Sequence, residues 1–337
     1  MSLNIVVTGG TGFIGSHTCV ELLNNMHNVI IIDNLKNSKE EVYHNIKKIS
    51  NSNHLSFYVA DLKNYNEIDK IFGLYDHIDL VIHFAGLKSV SESVSNPLLY
   101  YEENISMTIN LLNIMKKYSC KNIIFSSSAT VYGNPSILPI SESDQIGLNL
   151  TNPYGKTKYF QEEILRDLYI SDKTWSIVIL RYFNPSGAHP SGLIGENPND
   201  IPNNLMPFLL DVALGKREYL NIFGNDWNTH DGTCIRDFIH VVDLAKGHVS
   251  CLKKINTPGV YTYNLGSGKG TSVLELVNIF NLINNVNIKY KFVDRRVGDI
   301  EASYTSVNKA YEELGWKTIL TTTDICKDIW NYIKLQK

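Results

Sequence analysis

Three side chains have the types and spacing of a proton-transfer set. Tyr154 and Lys158 lie four residues apart in Asn152-Pro153-Tyr154-Gly155-Lys156-Thr157-Lys158, which reads as the start of a helix, so both share one face. An ammonium beside a phenol favours the phenolate, and a bound oxidised nicotinamide pushes the same way. Together they bring a group that ordinarily titrates near about 10 toward use as a base at neutral pH. Ser128 follows the apolar run Asn122-Ile123-Ile124-Phe125 through Ser126 and Ser127. A hydroxyl there can hydrogen-bond the same substrate oxygen and relay its proton. An isolated Tyr and Lys at this spacing is more often an exposed pair on a surface helix. The segment that gives the pair its meaning stands upstream.

That segment is Thr8-Gly9-Gly10-Thr11-Gly12-Phe13-Ile14-Gly15. Leu3-Asn4-Ile5-Val6-Val7 before it reads as a buried strand, and Ile14, Thr18, Glu21, Leu22 and Met26 after it are spaced as on a helix. Gly9 suits a tight turn, Gly12 a close approach of backbone to a pyrophosphate, and Gly15 the packing of helix on strand. Phe13 and Ile14 lie at the helix N-terminus, where free N–H groups and the dipole favour an anion. A second strand, Asn28-Val29-Ile30-Ile31-Ile32, ends at Asp33, about 20 residues past the glycines, where an acid can bind adenosine ribose hydroxyls. A plain turn and a solvated strand-end Asp are the bland alternatives, and the order strand, glycines, helix, strand, acid disfavours them. A carboxylate there repels a 2′-phosphate, which predicts NAD rather than NADP. Lys36 is the one nearby cation that opposes this.

The elements that must position these groups alternate. Leu55-Ser56-Phe57-Tyr58-Val59 predicts a third strand leading to Asp61, and Asp79 to Phe84 a fourth, stopped by Ala85-Gly86. Pro97 opens a helix to about Lys117, with Leu98, Tyr101, Ile105, Ile109 and Leu112 on one face. A helix from about Tyr154 to Tyr169 leads into the strand Ser176-Ile177-Val178-Ile179-Leu180. Such alternation predicts an α/β fold, a doubly wound parallel sheet covered on both faces. After Arg181 the chain changes character. Asn184 to Asn204 reads as a functional loop region, and later helices near 206–214, 240–254, 272–284 and 321–334 predict a smaller mixed α/β domain. The expected division is 1–183 and 184–337, with the segment near 240–268, including Tyr261 to Leu265, returning to the main sheet.

Composition narrows the partners. With 337 residues, 43% hydrophobic and 19% charged, the chain has ample core for about two domains. A net charge of −3 gives no reason to expect nucleic acid or an anionic membrane. No apolar run reaches the roughly 18 residues of a membrane span, and the chain enters its first strand with no signal peptide in view. Cys19, Cys120, Cys234, Cys251 and Cys326 are scattered and read as reduced thiols of a cytoplasmic protein. The ten histidines show no metal-ligand spacing, so no metal is expected.

Thr8–Gly15, Ser128, Tyr154 and Lys158 resemble the extended short-chain dehydrogenase/reductase family. Longer stretches resemble its UDP-hexose 4-epimerase branch: Asp33-Asn34-Leu35 with Asn37-Ser38, His83 to Lys88, Ser126 to Gly133, Arg181 to Pro185, Ile201 to Met206, Ile222 to Asp226, and Arg295-Arg296 with Gly298-Asp299. The resemblance spans essentially the whole chain, although Ser186 stands where relatives often carry an apolar residue. It implies a Rossmann fold, NAD as cofactor and a UDP-sugar as substrate. Inversion at C4 would run through a 4-keto intermediate, with a homodimer formed through the helices beginning near Pro97 and Tyr154. Those helices' apolar stripes could equally be covered by the protein's own core.

The resemblance also implies residue roles. Gly9, Gly12, Phe13, Ile14 and Gly15 would hold the pyrophosphate, and Asp33, Asn34, Asn37 and Ser38 the adenosine half. Asp61 and Leu62 would lie along the adenine. Phe84, Ala85, Gly86, Lys88, Asn104, Ser126 and Tyr182 are further cofactor contacts, and Lys158 also reaches the nicotinamide ribose. On the substrate side stand Lys88, Ser128, Tyr154, Phe183, Asn184, Asn204, Leu205, Asn221, Phe223, Arg236, Arg296, Asp299 and Ser303. Two forked guanidiniums match diphosphate oxygens. Read without the resemblance, Arg236 is a salt bridge to Asp237 or Asp231, and Arg295-Arg296 a solvated basic pair. Ser303 corresponds to a position bordering the hexose, where a small residue leaves room for an N-acetyl group; inward rotation of Tyr304 is the alternative.

Rival readings remain. A nucleotide-sugar 4,6-dehydratase needs an acidic pair after Ser128, where this chain has Ala129 and Thr130. A non-catalytic NAD-sensing module would tolerate loss of Tyr154 or Lys158. A purely structural protein would leave the Ser, Tyr, Lys and Arg motifs unexplained.

Overall fold

Short runs of Val, Ile and Leu with almost no polar interruption form strands buried on both faces. The computed structural model describes residues 2–197, 204–296 and 298–336. In chain order the first half runs β1 (Asn4–Thr8), α1 (Phe13–Asn24), β2 (Asn28–Asp33), α2 (Glu41–Ser50), β3 (Leu55–Val59), α3 (Tyr65–Phe72), β4 (Leu80–His83) and α4 (Val90–Ser95). A continuous helical segment follows, made of α5 (Pro97–Tyr101), a π turn over Glu102–Ser106 and α6 (Met107–Lys117). Then come β5 (Asn122–Ser128), α7 (Pro153–Ser171) and β6 (Ser176–Tyr182). The remainder contributes β7 (Asn184–Ser186), α8 (Leu205–Ala213), β8 (Leu220–Phe223), β9 (Ile235–His240), α9 (Val241–Ser250) and β10 (Gly259–Leu265). It ends with β11 (Gly270–Ser272), α10 (Val273–Asn284), β12 (Tyr290–Val293), β13 (Ala302–Ser303), α11 (Asn308–Leu314) and α12 (Thr322–Leu335).

Seven strands form one parallel sheet in the order β10-β6-β5-β4-β1-β2-β3. Strand order reverses between β1 and β4, and there the loops diverge to open a crevice at the carboxyl ends. The period of two along β1 feeds two cores. Ile5 and Val7 join the cluster with Val20, Leu23, Leu244 and Leu314; Val6 joins the opposite one with Leu111, Ile114 and Leu165. Each such fully buried side chain contributes about 1.5–3 kcal/mol. β10 lies on the sheet edge beside β6, as the Tyr261–Leu265 reading expects.

The second lobe sits over the carboxyl ends. β11, β9, β13 and β7 form a small sheet around β9, and β8 pairs with β12. Met206, Leu209, Phe238, Leu276, Phe280 and Ile329 form its core.

Two sequence expectations need correction. Met26 does not continue the α1 stripe. The helix ends at Asn24, and Met26 turns outward with φ 63° and 70% exposure. Only part of the face expected for the Pro97 helix is buried: Leu112 packs in the core at 7% exposure. Tyr100, Asn104, Met107, Thr108 and Leu111 point inward, whereas Leu98 is 80% and Ile109 43% exposed. The inner face carries enough polar groups that apolar periodicity alone selects a partly outer stripe. Within Ile201–Met206, residues 201–203 lie outside the described residues.

Candidate active site

The glycine turn is built as its spacing requires. Gly9 has φ +70°, and a Cβ there would lie 2.8 Å from the Ala85 nitrogen. A Cβ on Gly15 would meet the Gly9 carbonyl oxygen, so helix and turn are packed backbone to backbone. At Gly12, among the described residues other than its chain neighbours, Gly9 O at 3.2 Å is the one atom within 4 Å of such a Cβ. Gly12 is also the residue that starts α1, in extended conformation and without a side-chain cap. The first N–H groups of the helix, from Phe13 onward, therefore face an open cradle suited to an anion. This donor set and shape fit a dinucleotide pyrophosphate.

Asp33 ends β2 beside that cradle. Its carboxylate accepts from Thr11 N at 3.1 Å, Leu35 N at 2.9 Å and Ser38 Oγ at 3.2 Å. These bonds fix its direction and leave limited capacity for ribose hydroxyls. Asn34 donates to Asp61 Oδ2 at 3.1 Å, joining the ends of β2 and β3; Leu62 is buried behind them and Asn37 is exposed. Phe84, Ala85 and Gly86 follow β4. Asn104 is fully buried, accepting from Leu87 N at 2.8 Å and donating to Leu87 O and Thr157 Oγ1. Its amide is thus occupied in holding the Ala85–Lys88 loop against α7.

β5 and α7 bring the proton-transfer residues together. Asn152 accepts from Gly155 N at 2.8 Å and Pro153 opens the helix, which places Tyr154 in the first turn. Lys158, one turn on and buried, donates to Ser126 O at 2.7 Å. Ser128 Oγ accepts from Thr130 N at 3.2 Å and Thr130 Oγ1 at 3.0 Å, leaving its proton for the Tyr154 phenol. Burial pushes the phenol up and the Ser128 bond pulls it back only partly. Burial also pushes the Lys158 ammonium down to about 7, against the pull of Glu162. Lys158 and a bound oxidised nicotinamide are expected to lower the phenol together; among the protein's own groups burial outweighs the Ser128 bond. Both groups are desolvated, and the lysine faces a carbonyl. Tyr182, at the end of β6, hydrogen-bonds His248 Nε2 at 2.6 Å, and the Phe84 ring packs tilted against the same imidazole, centroids 4.9 Å apart.

In the second lobe, Asp299 gathers the two arginines. Its Oδ1 lies 2.7 Å from Arg296 Nη2 and 3.6 Å from Arg236 Nη2, and Arg296 also sits over the Phe223 ring at 5.5 Å. Arg236 is paired with neither Asp237 nor Asp231: Asp237 is buried and taken up by Ser267, Gly268 and Thr305. Asn221 and Phe223 share the outer face of β8. Asn184 begins β7 beside Phe238, and Phe183 packs with Val131, Tyr132 and Ile140. Leu205 starts α8, half-buried. Ser303 lies in register with Arg236 across a parallel pair, so the two side chains share a face. The ring of Tyr304 lies beside Gly270. The pleat sends it to the other face from Ser303.

Several residues went unnoticed in the sequence. Glu196 accepts from Lys88 Nζ at 2.8 Å and Asn204 Nδ2 at 3.4 Å, tying the β4 loop to the second lobe. Glu162, one turn beyond Lys158, is fully buried and accepts from Ser127, Arg166 and both Arg181 Nε and Nη2. Glu103 holds Lys36 and Lys63. A Glu four residues after Lys158 on the same helix face was the available signal for Glu162. The other two pairs join distant segments and leave no local trace.

With that geometry in place, similarity to known proteins can be stated. Residues 5–266 match the NAD dependent epimerase/dehydratase family. The chain is 52% identical over 329 residues to a UDP-glucose 4-epimerase of Bacillus subtilis, covering 97% of this chain and 96% of that one. A crystal structure of a Bifidobacterium longum UDP-glucose 4-epimerase, with NAD+ and UDP, is similar at TM-score 0.95 and 47% identity, covering 98% of each chain. The UDP-Glc/GlcNAc 4-epimerase of Campylobacter jejuni is similar at TM-score 0.85 and 32% identity, covering 99% of this chain and all of that one (100%).

Proposed function

This chain belongs to the NAD dependent epimerase/dehydratase family, and from that premise we propose that it is a UDP-glucose 4-epimerase, inverting C4 of UDP-hexoses through a 4-keto intermediate. What supports this reading is the Lys158–Ser126 bond that ties the Tyr154 helix to the Ser128 strand, in the same sheet as the glycine turn, together with the Arg236–Asp299–Arg296 group of the second lobe. Gly9 to Gly15 and Asp33 would hold NAD, which when bound supplies a hydride acceptor and donor.

The residues of the chain do the rest. Tyr154 takes the proton from the sugar 4-hydroxyl and returns it, with Ser128 holding the same oxygen. Lys158 keeps a positive charge beside the phenol when protonated, and a cationic cofactor adds to it. Arg236 and Arg296 grip the diphosphate while the sugar turns, so both faces of C4 are presented within one complex. Phe223 borders the uracil and Asp299 the uridine ribose. Configuration inverts with no net redox change, a step in nucleotide-sugar metabolism. Thr130 stands where a dehydratase carries an acid, and it is engaged in orienting Ser128. The experiment is direct: incubation of the pure protein with UDP-galactose must yield UDP-glucose. Formation of a 4-keto-6-deoxy product, or no turnover, counts against this reading.

Finer points belong to the same proposal. Residues 1–183, completed by the segment near 240–268, form the NAD-binding domain, and 184–337 the UDP-sugar domain. Small Ser303 on the Arg236 face supports use of UDP-GlcNAc and UDP-GalNAc as well. The exposed stripe of Leu98, Ile109 and Phe160, with Tyr101 against Phe160 at 6.2 Å, supports a homodimer through α5–α6 and α7. Sedimentation as a monomer at micromolar concentration would exclude it. All five cysteines are free and buried, which supports a cytoplasmic protein. Among the described residues no helix is long and apolar enough to cross a membrane.

A further inference from the structure

We propose that Glu103 is a determinant of cofactor choice in this chain, favouring NAD over NADP by engaging the ammonium groups of Lys36 and Lys63 on the loops that flank Asp33. The inference rests on the NAD-binding reading above.

Glu103 lies in the π turn between α5 and α6, and its side chain is 8% exposed. Its neighbour Asn104 is buried as well, so two consecutive polar residues point inward. Buried acids of this kind are rare unless paired. Glu103 Oε1 lies 2.8 Å from Lys63 Nζ and 3.4 Å from Lys36 Nζ, so one oxygen serves both cations. The bonds close into a ring. Lys63 N donates to Asp61 Oδ1, Asn34 Nδ2 to Asp61 Oδ2, and Lys36 N to Asn34 Oδ1. Three segments that meet only in space, the loops after β2 and β3 and the π turn, are thereby joined around the adenosine end of the cradle.

The consequence is electrostatic. Asp33 repels a 2′-phosphate, but a repelling acid is a weak filter if cations beside it receive the phosphate instead. Lys36 follows Asp33 by three residues and Lys63 follows Asp61 by two. Both are the right type to bind phosphate as point charges. With their ammonium groups turned onto a shared carboxylate, they offer little to an incoming dianion. Glu103 adds its own negative charge to the same end of the site.

The test reads cofactor identity, not turnover. The dinucleotide is stripped, the protein is reloaded with equimolar NAD and NADP, and the bound fraction is released by denaturation and quantified. The wild type should carry mainly NAD. Glu103→Gln, which keeps shape and removes charge, should raise the NADP:NAD ratio about five-fold, the effect of one unit charge at close range in water. Adding Lys36→Met and Lys63→Met to that variant should bring the ratio back. If Glu103→Gln does not fold, Glu103→Leu must raise the ratio likewise. A merely structural role would weaken both dinucleotides together and leave the ratio alone; an unchanged ratio in a folded variant overturns the proposal. A wild type that carries NADP would instead overturn the reading of Asp33, a distinguishable result.

Discussion

Lys158 Nζ lies 2.7 Å from the carbonyl oxygen of Ser126, so the helix that carries Tyr154 is tied to the strand that carries Ser128. One ammonium thereby fixes the separation of the two residues that must meet one substrate oxygen. Glu162 repeats the link one turn lower by accepting from Ser127. Helix and strand are joined twice within four residues of each other, which fixes Tyr154 and Ser128 relative to one another.

Tyr154→Phe should therefore fold, keep NAD and lose most turnover. Only the phenolic oxygen is removed, and a positioned acid–base group is worth about 10²–10⁴-fold. The check is epimerisation of UDP-galactose together with bound-dinucleotide content. Near wild-type turnover would remove Tyr154 from its role.

Ser303→Tyr should abolish interconversion of UDP-GlcNAc and UDP-GalNAc while largely keeping that of UDP-Glc and UDP-Gal. The side chain at 303 shares a face with Arg236, and a ring there competes for space with a C2 substituent. Assaying both substrate pairs on wild type and variant decides it. A wild type without N-acetyl activity, or a variant losing both activities equally, would show that the gate lies elsewhere.

Arg181→Met should destabilise the protein by about 3 kcal/mol, the low end for breaking a buried ion pair. Glu162 and Arg181 are 0% and 2% exposed and meet at 2.7 Å, so the variant strands a buried carboxylate. Arg166, at 2.8 Å from the same oxygen, softens the loss. Tyr132 loses a bond as well, and with it the path through Asn264 to Ile140 and Thr305. Urea denaturation midpoints measure the change; a shift worth under about 1 kcal/mol would mean the pair is not desolvated as its burial implies.

Acid should unfold the protein partly through its buried histidines. Burial holds His17 and His83 at about 3 and His248 at about 4, against 6.5 when exposed. Between those values the unfolded chain binds more protons than the native one. Stability is therefore intact above about pH 6.5 and lost as the pH falls toward 4 and 3. His83 bridges Thr8 and Thr108 at 2.7 and 3.0 Å, contacts that Gln can take over. His83→Gln should flatten the dependence of unfolding free energy on pH by about 1.4 kcal/mol per pH unit between about pH 6 and 4. Carboxylates titrate in both proteins and cancel in the comparison. Identical slopes would mean that His83 is protonated in the native state.

The sequence alone determined the parts of this protein that depend on neighbours along the chain. Gly9 and Gly15 announce their turn because a tight bend and a backbone contact exclude a Cβ, Gly12 because it leaves the cradle open, and Asp33 announces its strand end by distance from them. Tyr154 and Lys158 share a face because four residues make about one helical turn. The alternation of apolar strands with helices decided the doubly wound sheet. What only the tertiary structure decided are relationships between charges far apart in sequence. Asp299 reaching Arg236, Glu196 reaching Lys88, and Glu103 collecting Lys36 and Lys63 each join segments that no periodicity links. The same limit explains why the face expected for the Pro97 helix is only partly its inner one. Its inner side holds Asn104 and Thr108, whose polarity is satisfied by Leu87, Thr157, His83 and Gln161. Burial there follows from hydrogen bonds made in space, and hydrophobic pattern does not carry that information.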